Sequence, residues 1–313
     1  MASACSRNNH GISAAQGPLA CRLALTIGLL LCLQGFAGST KASPLYEVIG
    51  ELEERLDARI GVAVVDSGSG KTWHHRGEER FPLTSTFKPL ACAAVLARVD
   101  AGSEKLSREV EVRQEELVTY SPFTQDYVGS TISLADACEA AITLSDNTAG
   151  NLLLAAIGGP PGLTAFLRKS GDRYTRLDRT EPDLNEATPN DPRDTTTPIA
   201  IAHTLAALLQ GGALSDTQAQ RLESWMIADR VADALFRSRL PAGWGIADKS
   251  GAGGYGSRAL IAVLYPPDGA AVFAAVYVTQ TEASFAARNS AIADIGAAIF
   301  SAVIASEPTA QNE

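Results

Sequence analysis

The sequence predicts an α+β fold: an antiparallel sheet formed by the N- and C-terminal segments and flanked by helices, with an all-helical region inserted into it. Three observations carry this. Strand-like alternation occurs near both ends of the chain, the middle carries helix caps with helical apolar spacing, and the C-terminal strand segments are joined by Gly-rich or Pro-Pro-Asp-Gly turns. The sheet part spans about 43–83 and 228–313 and the helical part about 84–227.

The first 42 residues differ from the rest. Arg7, Arg22 and Lys41 occur without any acid, and an apolar run from Leu23 to Phe36 leads into small residues before Ser43, the pattern of a secretory signal peptide. A retained anchor is the alternative, but the run is shorter than the ~20 apolar residues of a bilayer span. Cys32 follows the bulky Leu31, which argues against a lipoprotein, and the long stretch before the apolar run allows a start codon downstream of Met1. The expected destination is the periplasm, or the medium if the host lacks an outer membrane.

Pro44 to Leu56 has amphipathic helical spacing, Arg59 to Asp66 alternates as a strand up to the turn Ser67-Gly68-Ser69-Gly70, and Lys71 to His75 is a second strand. Helices are predicted over Ser85–Ala101, Ser133–Leu144, Thr148–Ile157, Leu163–Ser170, Thr197–Gln210 and Ser215–Ile227. Strands return over Ala242–Lys249, Ser257–Tyr265 and Ala270–Thr279, and an Ala-rich helix over Ser284–Val303 closes the fold. Between Arg176 and Asp194 lies a polar stretch without periodicity, long enough to be either functional or disordered.

Apolar residues make up 46% of the chain and charged ones 19%, which places it among globular proteins. The net charge is -9, or -12 once the three leader cations are removed, so a nucleic-acid surface is not expected and the substrate should be small. Of five cysteines three lie in the leader. The remaining Cys92 and Cys138 suggest a disulfide in an exported protein, two separate buried thiols being the alternative.

Three short motifs carry the chemistry. Ser85-Thr86-Phe87-Lys88 opens a helix, and residues three apart share a helix face, so a hydroxyl and an amine able to activate it fall within reach. Taken singly, Ser85 could be only an N-cap. Ser145-Asp146-Asn147 ends an apolar helical run and could be only a turn, with Thr148 ready to cap the next helix; Lys249-Ser250-Gly251-Ala252 ends a strand and could be only a solvated charge. Their order, with 60 and 104 residues between successive motifs, is far rarer than any one of them.

With these motifs the chain resembles the penicillin-recognising serine enzymes, which carry Ser-x-x-Lys, Ser-Asp-Asn and Lys-Thr-Gly. Ser250 replaces the Thr but keeps its hydroxyl. Glu181-Pro182-Asp183-Leu184-Asn185, inside the long loop, looks like the segment with which class A β-lactamases position a hydrolytic water, and Arg179 and Asp194 could close the neck of that loop. The Ser-Thr-Phe-Lys and Gly-Ala-Gly-Gly-Tyr-Gly stretches resemble the carbenicillin-hydrolysing branch, although many of its members carry Arg where this chain has Lys249.

The resemblance implies hydrolysis of the β-lactam ring of penicillin-type antibiotics through a Ser85 acyl-enzyme, without a cofactor, in a monomer with no stable membrane association after signal cleavage. It implies catalytic roles for Ser85, Lys88, Ser145, Glu181 and Lys249, and substrate-binding roles for Asn147, Asn185, Ser250, Gly251, Ala252 and Arg258. The backbone N–H groups of Ser85 and Ala252 would hold the oxyanion. Arg258 would return beside Ser250, and a Cys92–Cys138 disulfide would tie together the helices bearing the two serines. A penicillin-binding peptidase normally lacks the Glu181 device, which also argues against a receptor that stays acylated.

Other patterns carry less. Gly251 to Gly256 fits a dinucleotide-binding glycine pattern, but a strand rather than a helix should follow it; Gly70-Lys71-Thr72 lacks the first glycine of a phosphate loop, since residue 65 is valine. His74 and His75 are adjacent, and with only His10 and His203 besides they offer no zinc spacing.

Overall fold

The computed structural model describes residues 44–306; the expected leader lies outside the described residues. Helix α1 (Pro44–Leu56) is followed by strands β1 (Arg59–Asp66) and β2 (Thr72–His75), then by the short strand β3 (Phe81–Pro82). The helical region contains α2 (Phe87–Asp100), β4 (Glu109–Glu111), β5 (Thr131–Ser133), α3 (Leu134–Thr143), α4 (Asn147–Ile157) and α5 (Gly159–Lys169). Beyond a long loop come β6 (Thr195–Thr196), α6 (Pro198–Leu209) and α7 (Asp216–Ile227), and the chain returns to the sheet through β7 (Gly245–Ala252), β8 (Arg258–Tyr265), β9 (Val272–Thr279) and α8 (Phe285–Ser306).

The main sheet is antiparallel, in the order β2-β1-β9-β8-β7, and β1 pairs with β9 from Arg59–Thr279 to Asp66–Val272. Sequence-distant ends thus form one sheet, as expected. Its central strands are buried on both faces, and their alternation sorts side chains between two cores. Ile60, Val62 and Val64, with Leu260, Leu264, Val276 and Val278, pack under α1 and α8; Ala63, Ile261, Val263, Phe273 and Tyr277 face the helical region. On the first face Phe236 and Phe300 meet edge-on with centroids 5.6 Å apart, and Phe300→Ala would cost about 3–5 kcal/mol. Helix α8 is long and apolar enough to cross a membrane, but Ile292, Ile295, Ile299 and Val303 are buried against the sheet, which makes it a core helix.

Differences from expectation have local causes. Helix α5 begins at Gly159 rather than Leu163, because Pro160 and Pro161 occupy its first turn, where a missing N–H costs nothing. Strand β7 is shifted to 245–252, since Pro241 to Trp244 close a turn. The pairs β3–β6 and β4–β5 involve two and three residues per strand, too few to show a period.

Candidate active site

Ser85 sits in a 3-10 turn, Thr84–Thr86, that leads into α2, and its hydroxyl caps nothing. Thr84 before it is held at φ +48, a conformation a β-branched residue rarely adopts, which stores about 1–3 kcal/mol and turns the serine toward the cleft. The strain persists because β7 presses on this turn: a Cβ at Gly251 would collide with Thr84 Oγ1 and lie 3.0 Å from the Ser85 nitrogen. Only glycine permits that approach.

One turn along α2, Lys88 is completely buried. Its Nζ lies 3.1 Å from Ser85 Oγ, 2.7 Å from the Ser145 carbonyl, 3.4 Å from Ser145 Oγ and 2.7 Å from Asn147 Oδ1. Glu181 Oε1 stands 3.3 Å from the same nitrogen, at ion-pair distance but outside hydrogen-bond geometry. Burial pulls the Lys88 pKa down, and the Glu181 carboxylate opposes it. The amine therefore touches both serine hydroxyls and the carboxylate at once.

Ser145 has φ +61, and the residue that caps α4 is Asp146, not Thr148 as expected. The fully buried Asp146 carboxylate accepts from the backbone N–H groups of Ala149, Phe123 and Thr124 and from the Thr124 hydroxyl, tying the 119–124 segment to the serine turn. Thr148 instead shares a hydrogen bond with Ser121. Asn147 donates to the Thr119 carbonyl at 2.8 Å.

Glu181 and Asn185 lie on the loop between α5 and β6. Asn185 donates to Glu181 Oε2 at 2.5 Å, across a 3-10 turn, and the Glu181–Pro182 peptide is cis. Asn151 of α4 brackets the Glu181 backbone, accepting from its N–H and donating to its carbonyl, both at 2.9 Å. The neck is closed as expected: Arg179 Nε donates to Asp194 at 2.6 Å, and the other oxygen of that carboxylate takes the N–H groups of Asp178 and Arg179.

Lys249 lies inside β7 rather than at its end and is wholly buried, with no hydrogen-bond partner for Nζ among the described residues. Burial pushes its pKa down to about 8, against the pull of Asp229. Arg258 pairs with Ala252; the residue opposite Ser250 is Leu260, so the expectation that Arg258 returns beside Ser250 is off by two residues. Burial pushes Arg258 down to about 10. The glycines beyond Ala252 form the expected hairpin, docked on the loop: Gly254 donates to the Asn185 carbonyl at 2.8 Å.

Ser85, Ser145, Asn147, Asn185, Ser250, Gly251, Ala252 and Arg258 all line one cleft of about 430 Å³, and Lys88, Glu181 and Lys249 are buried. Tyr120, Val231, Phe285 and Asn289 also line it and were not anticipated, because nothing in their local sequence points to a site. The expected Cys92–Cys138 disulfide is not formed: both are free, buried thiols, and burial, then the neighbouring Cys138, pushes the Cys92 thiol well up.

A serine in contact with a buried amine, opposite a carboxylate held by an amide, on a helical insert facing a sheet edge, defines a serine hydrolase of the penicillin-recognising class. The sequence model of the β-lactamase enzyme family matches residues 44–303. Beta-lactamase CARB-3 of Pseudomonas aeruginosa is 50% identical over 88% of this chain and 96% of its own length; beta-lactamase AER-1 of Aeromonas hydrophila is 49% identical over 80% and 83%. Among solved structures, an ancestral class A β-lactamase superposes with a TM-score of 0.81 at 52% identity, covering 82% of this chain and 99% of that one. The chromosome-encoded β-lactamase of Vibrio parahaemolyticus superposes with 0.81 at 46% identity, covering 83% and 98%. The chain belongs to the β-lactamase enzyme family, in class A; it is a serine hydrolase that opens the β-lactam ring and thereby confers resistance.

Proposed function

We propose that Ser85 attacks the β-lactam carbonyl and that its ester is then hydrolysed by a water activated by Glu181. Lys88, or Glu181 through a water, takes the serine proton as the carbon–oxygen bond forms. The oxyanion rests on the N–H groups of Ser85 and Ala252. Ring opening breaks the amide C–N bond, and Ser145 passes a proton to the departing nitrogen while the Lys249 charge stabilises the transfer. In the second stage Glu181, oriented by Asn185, takes a proton from water; the new carbonyl–oxygen bond displaces Ser85, which recovers its proton.

Lys249, Ser250 and Arg258 bind the substrate carboxylate, Gly251 lets β7 lie close to the nucleophile, and Asn147 binds the side-chain amide. The relatives' names support a β-lactam as substrate, and the resemblance to the carbenicillin-hydrolysing branch favours penicillins. The enzyme acts as an exported monomer free of the membrane.

The observation that carries this reading is the position of Lys88 Nζ, within 3.4 Å of both serine hydroxyls and of the Glu181 carboxylate. The test is purified protein with a chromogenic β-lactam. Sustained turnover supports a complete hydrolytic cycle, whereas a single stoichiometric burst would reject the deacylation half and favour a receptor or a peptidase.

A further inference from the structure

Helix α8 begins at the cleft, and its first turn presents two residues four positions apart, Phe285 and Asn289, on one helix face. Both meet Arg258. Asn289 Oδ1 accepts from Arg258 Nε at 2.8 Å, and the guanidinium carbon lies 4.9 Å from the centroid of the Phe285 ring. On the sheet side Arg258 Nη1 donates to the Gly251 carbonyl at 2.9 Å. The guanidinium is thus fixed by an amide, a carbonyl and an aromatic ring, with no carboxylate within ion-pair range among the described residues. Arg288, on the same turn, lies 5.5 Å from the Phe285 ring and repels Arg258. Phe285 remains 49% exposed, so burial alone does not account for its place on the cleft wall.

We propose that Phe285 is a positioning residue for the substrate carboxylate: its ring and the Asn289 amide form a bracket on one helical turn that aims the Arg258 guanidinium into the cleft. This rests on the proposed role of Arg258. A cation over an aromatic face is worth enough, when partly desolvated, to change binding by about three- to tenfold.

The test compares benzylpenicillin with its methyl ester, in which the carboxylate is masked. Phe285→Leu should lower kcat/KM for benzylpenicillin about three- to tenfold with kcat little changed, leave the ester unaffected, and be rescued by Phe285→Tyr. In an Arg258→Gln background, Phe285→Leu should cost nothing further, since the ring acts through the missing guanidinium. Equal losses on acid and ester, an additive loss in that background, or no loss at all would overturn the bracket. If Arg258→Gln alone leaves benzylpenicillin kinetics unchanged, it is the carboxylate-binding reading of Arg258 that fails.

Discussion

Ser85, Lys88, Ser145 and Lys249 stand on or beside α2, α4 and β7, where backbone ladders and two packed cores fix them, whereas Glu181 and Asn185 stand on a loop whose only regular structure is one 3-10 turn. The first group is held by the fold as a whole. The second is held by particular polar contacts: the Asn151 bracket, the Arg179–Asp194 neck and the hydrogen bond from Gly254. Contacts of that kind can fail singly. With Lys88 as the base that takes the serine proton, the two proposed stages of the reaction are separable, acylation depending on the core and deacylation on the loop.

The strongest way to break this contrast is to remove a group from each side. Ser85→Ala should leave the fold intact and reduce turnover by on the order of 10⁵-fold or more, as loss of a serine nucleophile does elsewhere; retained turnover of a chromogenic substrate would reject the assignment. Glu181→Ala should lower kcat by about 10²–10⁴-fold, the range supplied by a general base. Mass spectrometry should then find the covalent adduct accumulating, and free protein with normal acylation would refute the loop's role.

A subtler change loosens the loop without touching its chemistry. Arg179→Ala leaves the Asp194 carboxylate, 1% exposed, with only two backbone N–H donors, and breaking a buried pair costs about 3–5 kcal/mol. Most of that should appear as local opening of 176–194 rather than global unfolding. Hydrogen exchange should rise in the loop and stay unchanged in α2 and β7, with deacylation slowed about tenfold or more and acylation nearly preserved. A uniform rise in exchange would mean that loop and core are one cooperative unit.

The same contrast explains what the sequence made legible. Regular elements announce themselves by period, so the expected bounds of β1 match its observed ends, while Ser85 lies in the 3-10 turn before α2 and Lys249 inside β7 rather than at its end. Chemistry on the loop was visible only through the resemblance, because Glu181 and Asn185 obey no period. The bracket formed by Asn151, and the cleft wall formed by Phe285 and Asn289, depend on which faces of α4 and α8 meet the loop and β8; packing sets those relations, and no local pattern encodes them. Capping rules fit Asp146 as well as Thr148, two residues on, and only the packing of the 119–124 segment onto the Asp146 carboxylate decides between them.

Lys249 sharpens the comparison at its smallest scale, since it belongs to the rigid side yet has a charge that the fold opposes. Burial lowers its pKa from 10.5 to about 8. Between those values the native state binds fewer protons than the unfolded chain, so this residue makes stability rise with pH over that window. Binding moves the other way, because above about pH 8 the amine is neutral and no longer attracts the substrate carboxylate. With Arg258 still charged until about 10, kcat/KM for a carboxylate substrate should fall roughly tenfold from about pH 7 to about pH 9. The slope should vanish for Lys249→Arg, whose guanidinium cannot titrate in that range. If that variant keeps the basic limb, the titrating group is another, Lys88 being the next buried amine.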